Sequence, residues 1–284
     1  MTQRHFWLQL RPIQLWPIQF WAQFCVQSRK IATTTLIGTA SGLALSLGLS
    51  PEAKAASAES APTELTAAIE RMESAASARD LGAVMEGYSS EFSNEDGFTY
   101  GTLETALQTF WDSYTSLSYR VELQSWEPTP EGYLAETVTY VSGTQIDNGQ
   151  SRELESIIRS QQTYQGGKII AQETLSERNQ TTSGEKPPSV SVILTEQVER
   201  GEKYDFDAIV LEPLGDRYLL GGVIDEGATA ADFFTGRPVE LELLSAGGLF
   251  KIGEAPEVPD SRWVSALLVR DDGMTVITRR LQVN

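Results

Sequence analysis

The chain has 284 residues, enough for two domains, and a formal net charge of −17 with one His and one Cys. A surface this acidic repels phosphate backbones and anionic lipids, which argues against nucleic-acid binding.

The first 55 residues have the parts of a secretory signal peptide. Residues 1–30 carry Arg4, Arg11, Arg29 and Lys30 with no acidic residue, residues 31–51 are uncharged, and Ala53-Lys54-Ala55 is a small-x-small cleavage sequence. We therefore expect residues 1–55 to be a targeting segment, with residues 56–62 as a short tail of the exported protein. The expected location is the periplasm, the extracellular space or an equivalent lumen. The alternative is that residues 31–51 stay in place as a membrane anchor.

Cleavage after Ala55 would also remove His5 and Cys25, the only His and the only Cys. The remaining chain would then have no thiolate nucleophile, Ser–His pair, disulfide or zinc site of the usual kind. Of the 22 basic and 39 acidic residues, five basic and one acidic lie in residues 1–55, which leaves 17 basic and 38 acidic. Acidic clusters such as Asn94-Glu95-Asp96 and Asp271-Asp272 lack the twelve-residue loop of a calcium site. We interpret them as solvated turns and expect no metal or cofactor.

Three helices are predicted in the first half of the exported chain. The first has apolar residues at three- and four-residue spacing, at Leu65, Ala68, Ile69, Met72, Ala75 and Ala76. Asp80 is placed to cap a short second helix over residues 81–86, and Gly87 suits its C-terminal end. The third helix extends from Leu103 to Tyr114, and its apolar stripe is aromatic towards the C-terminal end.

Four strands rich in β-branched and aromatic residues follow these helices, over residues 119–126, 133–141, 154–164 and 168–175. Turn sequences separate them, and Gly166-Gly167 has the length of a two-residue hairpin connection. Helices followed by antiparallel strands predict an α+β fold with the helices on one face of the sheet.

Four short sequences within residues 63–178 precede the four strands: Ala78-Arg79-Asp80-Leu81, Tyr88-Ser89-Ser90-Glu91-Phe92, Gly101-Thr102-Leu103-Glu104 and Phe110-Trp111. In this combination, residues 63–178 resemble the nuclear transport factor 2-like (ketosteroid isomerase-like) superfamily. The resemblance implies a cone of curved sheet wrapped by helices. Members of this superfamily include isomerases, dehydratases, hydrolases and many non-catalytic binding or assembly domains, so the resemblance says more about fold than about function. It also implies a homodimer formed through the open face of the sheet.

Residues 179–189 have the composition of a linker, with Asn179-Gln180-Thr181-Thr182-Ser183-Gly184 followed by Pro187-Pro188. From Val190 to residue 284 the pattern is all-β, with about seven short strands separated by turn sequences. This layout resembles an immunoglobulin-like β-sandwich without its cysteine pair, and Trp263 fits a core position. We expect the two halves to fold independently.

The residues left for proton transfer in a His-free chain are carboxylates, Tyr, Lys and Arg. Glu122, Glu136 and Glu155 lie on the predicted strands and are the candidate general bases, because a carboxylate buried among aromatic rings has a raised pKa. The aromatic side chains expected to bound a ligand pocket are Tyr88, Phe92, Phe110, Trp111, Tyr114 and Tyr140.

The expected function is an exported, non-catalytic binding or assembly module of the cell envelope. Its partner would be a protein or a small apolar ligand. The alternative is a small-molecule isomerase, dehydratase or hydrolase that uses a pocket carboxylate as general base.

Overall fold

The computed structural model describes residues 55–147, 149–235, 238–244 and 246–284. The predicted signal peptide and the alternative anchor at residues 31–51 lie outside these residues, apart from Ala55. Within the described ranges, no helix combines the length and the apolar character that crossing a membrane requires. The chain is mostly antiparallel sheet with a few helices, as expected for the coarse fold class.

The helices are α1 (Thr63–Ala78), α2 (Leu81–Glu86), α3 (Tyr100–Ser113) and α4 (Ala230–Phe233), and a 3₁₀ turn covers Ala58–Ser60. The strands of the first half are β1 (Ala56–Ser57), β2 (Ser116–Thr129), β3 (Gly132–Asp147), β4 (Gln150–Gln165) and β5 (Lys168–Gly184). Those of the second half are β6 (Val190–Ile193), β7 (Gln197–Val198), β8 (Lys203–Val210), β9 (Leu220–Gly227), β10 (Glu242–Leu243), β11 (Gly248–Glu254), β12 (Asp260–Arg270) and β13 (Gly273–Val283).

Two sheets contain these strands. The large sheet has the order β1-β2-β3-β4-β5-β13-β12-β9-β10, with β7 added to β13, and the small sheet has the order β11-β8-β6. The hairpin between β4 and β5 turns at Gly166 and Gly167, whose φ angles of 57° and 76° suit a type I′ turn. The large sheet therefore continues from the first half of the chain into the second.

The three predicted helices are present, and α1–α3 lie on the same face of β2–β5. The predicted apolar residues of α1 are all buried. The Asp80 carboxylate accepts a hydrogen bond from the Ala83 N–H at 3.0 Å and caps α2, as its position predicts. Arg79 has a left-handed φ of 55°, and its guanidinium donates to the Tyr114 carbonyl at 2.9 Å, beyond the end of α3. This contact fixes α1 and α3 relative to each other.

The prediction of a linker at residues 179–189 is wrong for its first half. Residues up to Gly184 belong to β5, which pairs with β4 on one side and with β13 on the other, from Arg178–Arg279 to Gly184–Gly273. Asn179 is fully buried and Thr181 nearly so. A run of Asn, Thr and Ser looks like a linker by composition, but in a strand with partners on both sides these residues form part of a buried polar layer.

Two apolar cores lie on the large sheet. The first is enclosed by α1–α3 and β2–β5, and it also includes Trp263 of β12 and Phe233 of α4. The second lies between the small sheet and strands β12 and β13, with Phe206 and Leu268 among its fully buried side chains. Trp263 is a core residue as predicted, but it packs in the first core. The first core therefore contains side chains from both halves of the chain.

Candidate functional site

The three candidate carboxylates lie on the outer face of β2–β4, away from the first core. Glu122 forms an ion pair with Arg120 and accepts a hydrogen bond from the Tyr140 hydroxyl at 3.2 Å. Glu136 pairs with the Arg159 Nε at 2.6 Å, and Glu155 is exposed. None of the three lines a pocket described below, and of the predicted aromatic set only Tyr140 contacts one of them, Glu122.

Five of the six predicted pocket aromatics fill the first core. Tyr88, Phe92, Phe110 and Trp111 are no more than 3% exposed, and Tyr114 is 8% exposed. The Trp111 Nε1–H donates to the Tyr119 hydroxyl at 2.8 Å. The structure corrects the prediction that Tyr140 bounds the pocket. Strand alternation places Tyr140 on the outer face, where its ring centroid lies 3.9 Å from the Arg120 guanidinium carbon.

A buried ionic cluster joins the two halves of the chain. Arg280 on β13 and Asp96, in the loop between α2 and α3, have side chains that are 0% and 1% exposed. The Arg280 Nη2 lies 2.7 Å from each Asp96 carboxylate oxygen, and the two residues are 184 positions apart in the chain. The interpretation of Asn94-Glu95-Asp96 as a solvated turn is therefore wrong for Asp96.

Glu177 on β5 is the second carboxylate of this cluster. Its Oε2 accepts a hydrogen bond from the Trp263 Nε1–H at 2.9 Å and lies 3.9 Å from the Arg280 Nη1. Its Oε1 accepts from the Asn179 amide, and the Asn179 oxygen accepts in turn from the Ser156 hydroxyl. Burial raises the pKa of Glu177 to about 7, although Arg280 and these hydrogen bonds act in the opposite direction. Desolvation therefore disfavours the charged form of Glu177 in the folded protein.

A pocket of about 340 Å³ lies at the surface next to this cluster. The acidic residues Glu95, Asp96, Glu173 and Asp260 line it, together with Gln282 and Asn284 near the C-terminus. Burial and the neighbouring carboxylates of Asp96 and Glu173 raise the pKa of Glu95 to about 7, against the effect of Arg280. No group of three or more acidic, His or Cys residues suited to a metal ion occurs in the part of the chain that the structure describes.

A second surface feature is the outer face of the small sheet, which we call the β6–β8–β11 face. Its members are Ile193, Asp205, Asp207, Ile209, Phe250 and Ile252. Pairing places Ile193, Asp207 and Phe250 in one row across the three strands, with Ile252 opposite Asp205 in the next row. Ile193, Phe250 and Ile252 are 55%, 56% and 73% exposed. Neither aspartate has an ion-pair partner among the described residues.

The sequence does not predict this face, because β6 and β11 are short and their apolar and polar residues alternate over only a few positions. The sequence of β8 alternates apolar and acidic residues, and the structure buries Tyr204, Phe206, Ala208 and Val210 while Asp205 and Asp207 point to the other face. The register that puts Ile193 and Phe250 beside Asp207 comes from strands far apart in the chain. Likewise, no local pattern links Asp96 or Glu177 to Arg280.

Comparison with known proteins concerns the second half of the chain. Residues 185–284 match the family model described as a domain of unknown function, DUF8623. No curated protein matches the chain. The matched segment begins directly after β5 and contains all of β6–β13, and therefore the β6–β8–β11 face and Arg280.

Proposed function

We propose that this chain is an exported, non-catalytic binding module of the cell envelope that binds a protein segment with basic and apolar side chains. The observation that carries the proposal is the β6–β8–β11 face. Contiguous exposed apolar side chains on a soluble surface are typical of protein–protein interaction sites. Here Ile193 and Phe250 flank Asp207 in one row and Ile252 lies beside Asp205 in the next, and each of these apolar side chains is more than half exposed.

Charge complementarity determines the proposed partner. Asp207 lies between Ile193 and Phe250, and Asp205 lies beside Ile252, so a segment docked on this face would bury both carboxylates. Burying an unpaired charge is costly, so the partner must supply Lys or Arg opposite them. The net charge of −17 would speed the approach of a basic partner and slow that of an acidic one. An acidic partner or a nucleic acid does not meet these requirements.

The outer face of β2–β5, which the family resemblance suggests as a dimer surface, is less suited to this role. Its ion pairs, Arg120 with Glu122 and Arg159 with Glu136, already satisfy one another. We therefore place the binding surface on the small sheet. The finer fold assignment belongs to the same proposal: a nuclear transport factor 2-like cone over residues 63–178, and an immunoglobulin-like sandwich over residues 190–284. The helices on one face of β2–β5 and the second core between two sheets support it.

Site-specific photocrosslinking in the native host tests the docking surface. A benzoylphenylalanine at position 250 should give one protein adduct, and the double change Asp205→Lys, Asp207→Lys should abolish it. The matched control places the same group at Tyr218, an aromatic residue that is 76% exposed outside this face. Equal adducts at both positions, or an adduct that survives the charge reversal, would contradict the proposal. An adduct with a second copy of this chain would favour a homodimer instead.

Export is tested separately by N-terminal sequencing of protein from its native host. The proposed mature N-terminus is Ala56, which lies in β1 and pairs with Trp126 of β2. Protein recovered from the cytoplasm with residues 1–55 intact would contradict export. Membrane-bound protein with an intact N-terminus would favour the anchor at residues 31–51.

A second candidate function is general-base catalysis by Glu95, in the pocket that this residue lines, and not by the three carboxylates predicted from the sequence. The specific observation in its favour is the pKa of about 7 for Glu95 beside a pocket of about 340 Å³. A small molecule found by nuclear magnetic resonance screening to bind there, and turned over by the parent but not by Glu95→Gln, would establish this function. Binding without turnover would leave the binding module as the better proposal.

A further inference from the structure

The outer edge of β11 is an open sheet edge. Strand β11 lies at one end of the small sheet, and β8 is its only partner among the described strands. Just beyond β11, the Ala255 N–H donates to the Glu202 carbonyl at 2.8 Å, at the end of the ladder with β8. In an antiparallel ladder, residues that bond to the partner strand alternate with residues whose N–H and C=O groups point the other way. The backbone groups of Phe250, Ile252 and Glu254 therefore point outward from the sheet.

The other edges of the two sheets are short or covered. Strands β1, β7 and β10 have two residues each, and β6 has four and follows Pro187-Pro188. Helix α1 covers the edge of β2 beyond β1, where the Tyr119 N–H donates to the Ser77 hydroxyl at 3.0 Å. The Val121 N–H likewise donates to the Glu73 carboxylate at 2.7 Å. Such devices prevent pairing with other chains, and β11, with seven residues and no proline, lacks them.

The side chains at the β11 edge are also open to a partner. Phe250 and Ile252 are 56% and 73% exposed on the β6–β8–β11 face. Lys251 points to the opposite side, where its Nζ lies 3.4 Å from the Glu242 carboxylate of β10. The edge thus combines outward backbone groups with exposed apolar side chains, and strand addition uses both: backbone hydrogen bonds give affinity, and alternate side chains give specificity.

We propose that the partner segment binds as an extra antiparallel strand along the outer edge of β11, with Lys or Arg at alternate positions. This inference rests on the proposed function and specifies how its partner binds. Side chains of the added strand would stand beside Phe250 and Ile252, about 10 Å from β8, which is two strand spacings. The long stems of Lys and Arg can lie across these apolar side chains and bring their cations to Asp207 and Asp205. Shorter basic or polar side chains would not span this distance.

A second copy of this chain fits the edge less well. Its β11 would present Phe250, Ile252 and Glu254 on this face, and none of them supplies a cation to Asp205 or Asp207. Two chains that each have a net charge of −17 also repel each other. The charges therefore favour a basic segment of another protein.

The test uses a synthetic peptide of alternating Lys and Thr with both ends blocked, about six residues long, the usual length of a strand. Its binding to the purified, isotope-labelled protein is followed by nuclear magnetic resonance. We expect saturable binding and slower amide hydrogen exchange at Phe250 and Ile252, because their N–H groups become hydrogen-bonded. Failure to bind, or unchanged exchange at both amides when the protein is saturated, would overturn the added strand.

Backbone methylation of the peptide separates strand addition from attraction by charge. In an antiparallel addition, the Lys N–H groups face β11 and the Thr N–H groups face away. Methylating the Lys nitrogens should lower the affinity by roughly tenfold or more, because it removes donors to β11. Methylating the Thr nitrogens is the matched control and should leave the affinity unchanged. Equal affinities of the two methylated peptides would contradict the proposed pairing.

Two variants at Ile252 give the corresponding test on the protein. Ile252→Pro removes an outward N–H and keeps an apolar side chain, and an edge strand tolerates proline where the N–H faces solvent. Ile252→Ala keeps the N–H and loses most of the side chain. We expect the larger loss of peptide affinity in Ile252→Pro, with thermal unfolding used to confirm that both variants are folded. A larger loss in Ile252→Ala would mean that side chains alone bind the peptide, and would overturn the inference.

Photocrosslinking at position 250 distinguishes failure of this inference from failure of the proposed function. If the adduct forms in the native host but the peptide tests fail, the inference is wrong and the proposed binding surface stands. Absence of any adduct would contradict the proposed function itself, and the inference with it.

Discussion

At the residue scale, the most consequential side chain is Arg280. A buried arginine needs an opposite charge, because removing one partner of a buried ion pair leaves an uncompensated charge in the interior. Asp96 supplies that charge, and Glu177 and Trp263 complete the surroundings. The cluster orients the loop between α2 and α3 against β13, and Asp96 also lines the acidic pocket.

Asp96→Ala should destabilise the protein by about 3–5 kcal/mol, because it leaves Arg280 buried without its hydrogen-bonded carboxylate. The measurement is urea unfolding at pH 7.5, followed by circular dichroism. Glu95→Ala is the matched control in the same loop. Since the raised pKa of Glu95 means that its charge is unfavourable in the folded state, the control should be neutral or slightly stabilising at this pH. Equal effects of the two changes would contradict the assigned role of Asp96.

The raised pKa of Glu177 predicts how the free energy of unfolding depends on pH. Its pKa is about 7 in the folded protein, above the ordinary value of 4.5, so the folded state holds a proton that the unfolded state releases between these values. The contribution of this proton to the unfolding free energy is therefore complete below pH 4.5, and it is lost as the pH rises through 7. Each unit of pKa difference corresponds to ~1.4 kcal/mol. Glu177→Gln should therefore show a shallower decline in unfolding free energy between pH 5 and pH 7.5 than the parent, and parallel curves would exclude Glu177 as the titrating group.

At the element scale, the sequence predicts which segments are helices and strands but not where β5 ends. Apolar periodicity predicts α1 and α3, the cap at Asp80 predicts α2, and Gly166-Gly167 predicts the β4–β5 hairpin, because these signals are local. The second half of β5 is rich in Asn, Gln, Thr and Ser, and only its pairing with β4 and β13 makes it a strand. The same limit applies to the site: the cap at Asp80 can be predicted from neighbouring residues, whereas the sheet face occupied by Tyr140, Glu122, Glu136 and Glu155 depends on which face the helices cover.

Thr181→Pro tests the central position of β5. Thr181 pairs with Leu154 on one side and Val276 on the other, and proline in an interior strand removes a ladder hydrogen bond. We expect a loss on the order of 3 kcal/mol, comparable to proline inside other hydrogen-bonded elements. Glu185→Pro is the control, since Glu185 is exposed and follows the end of β5. A linker at residues 179–184 would tolerate both changes equally, and unfolding curves of the two variants distinguish these cases.

At the scale of the whole molecule, one large sheet passes through both halves. Strand β5 belongs to the first half and β13 to the second, and their ladder covers seven residue pairs from Arg178–Arg279 to Gly184–Gly273. Trp263 and Phe233 complete the first core, and Arg280 neutralises Asp96. The segment that matches the domain of unknown function begins at residue 185, directly after the strand that connects it to the rest. These contacts lead us to expect one cooperative unit, in place of the two independent halves that composition suggests.

Expressing the two halves separately tests whether the chain folds as one cooperative unit. A fragment of residues 56–184 would lose Trp263 from its core and would bury Asp96 and Glu177 without Arg280, while β5 would become an exposed edge strand. We expect it to lack a cooperative thermal transition, whereas residues 56–284 should unfold in a single step and resist limited proteolysis between Glu177 and Gly184. Mixing the two fragments should restore part of the structure through the β5–β13 ladder. Two fragments that each unfold cooperatively, together with cleavage of the whole chain at residues 177–184, would show that the halves are independent and that the buried Arg280 cluster contributes little to the fold.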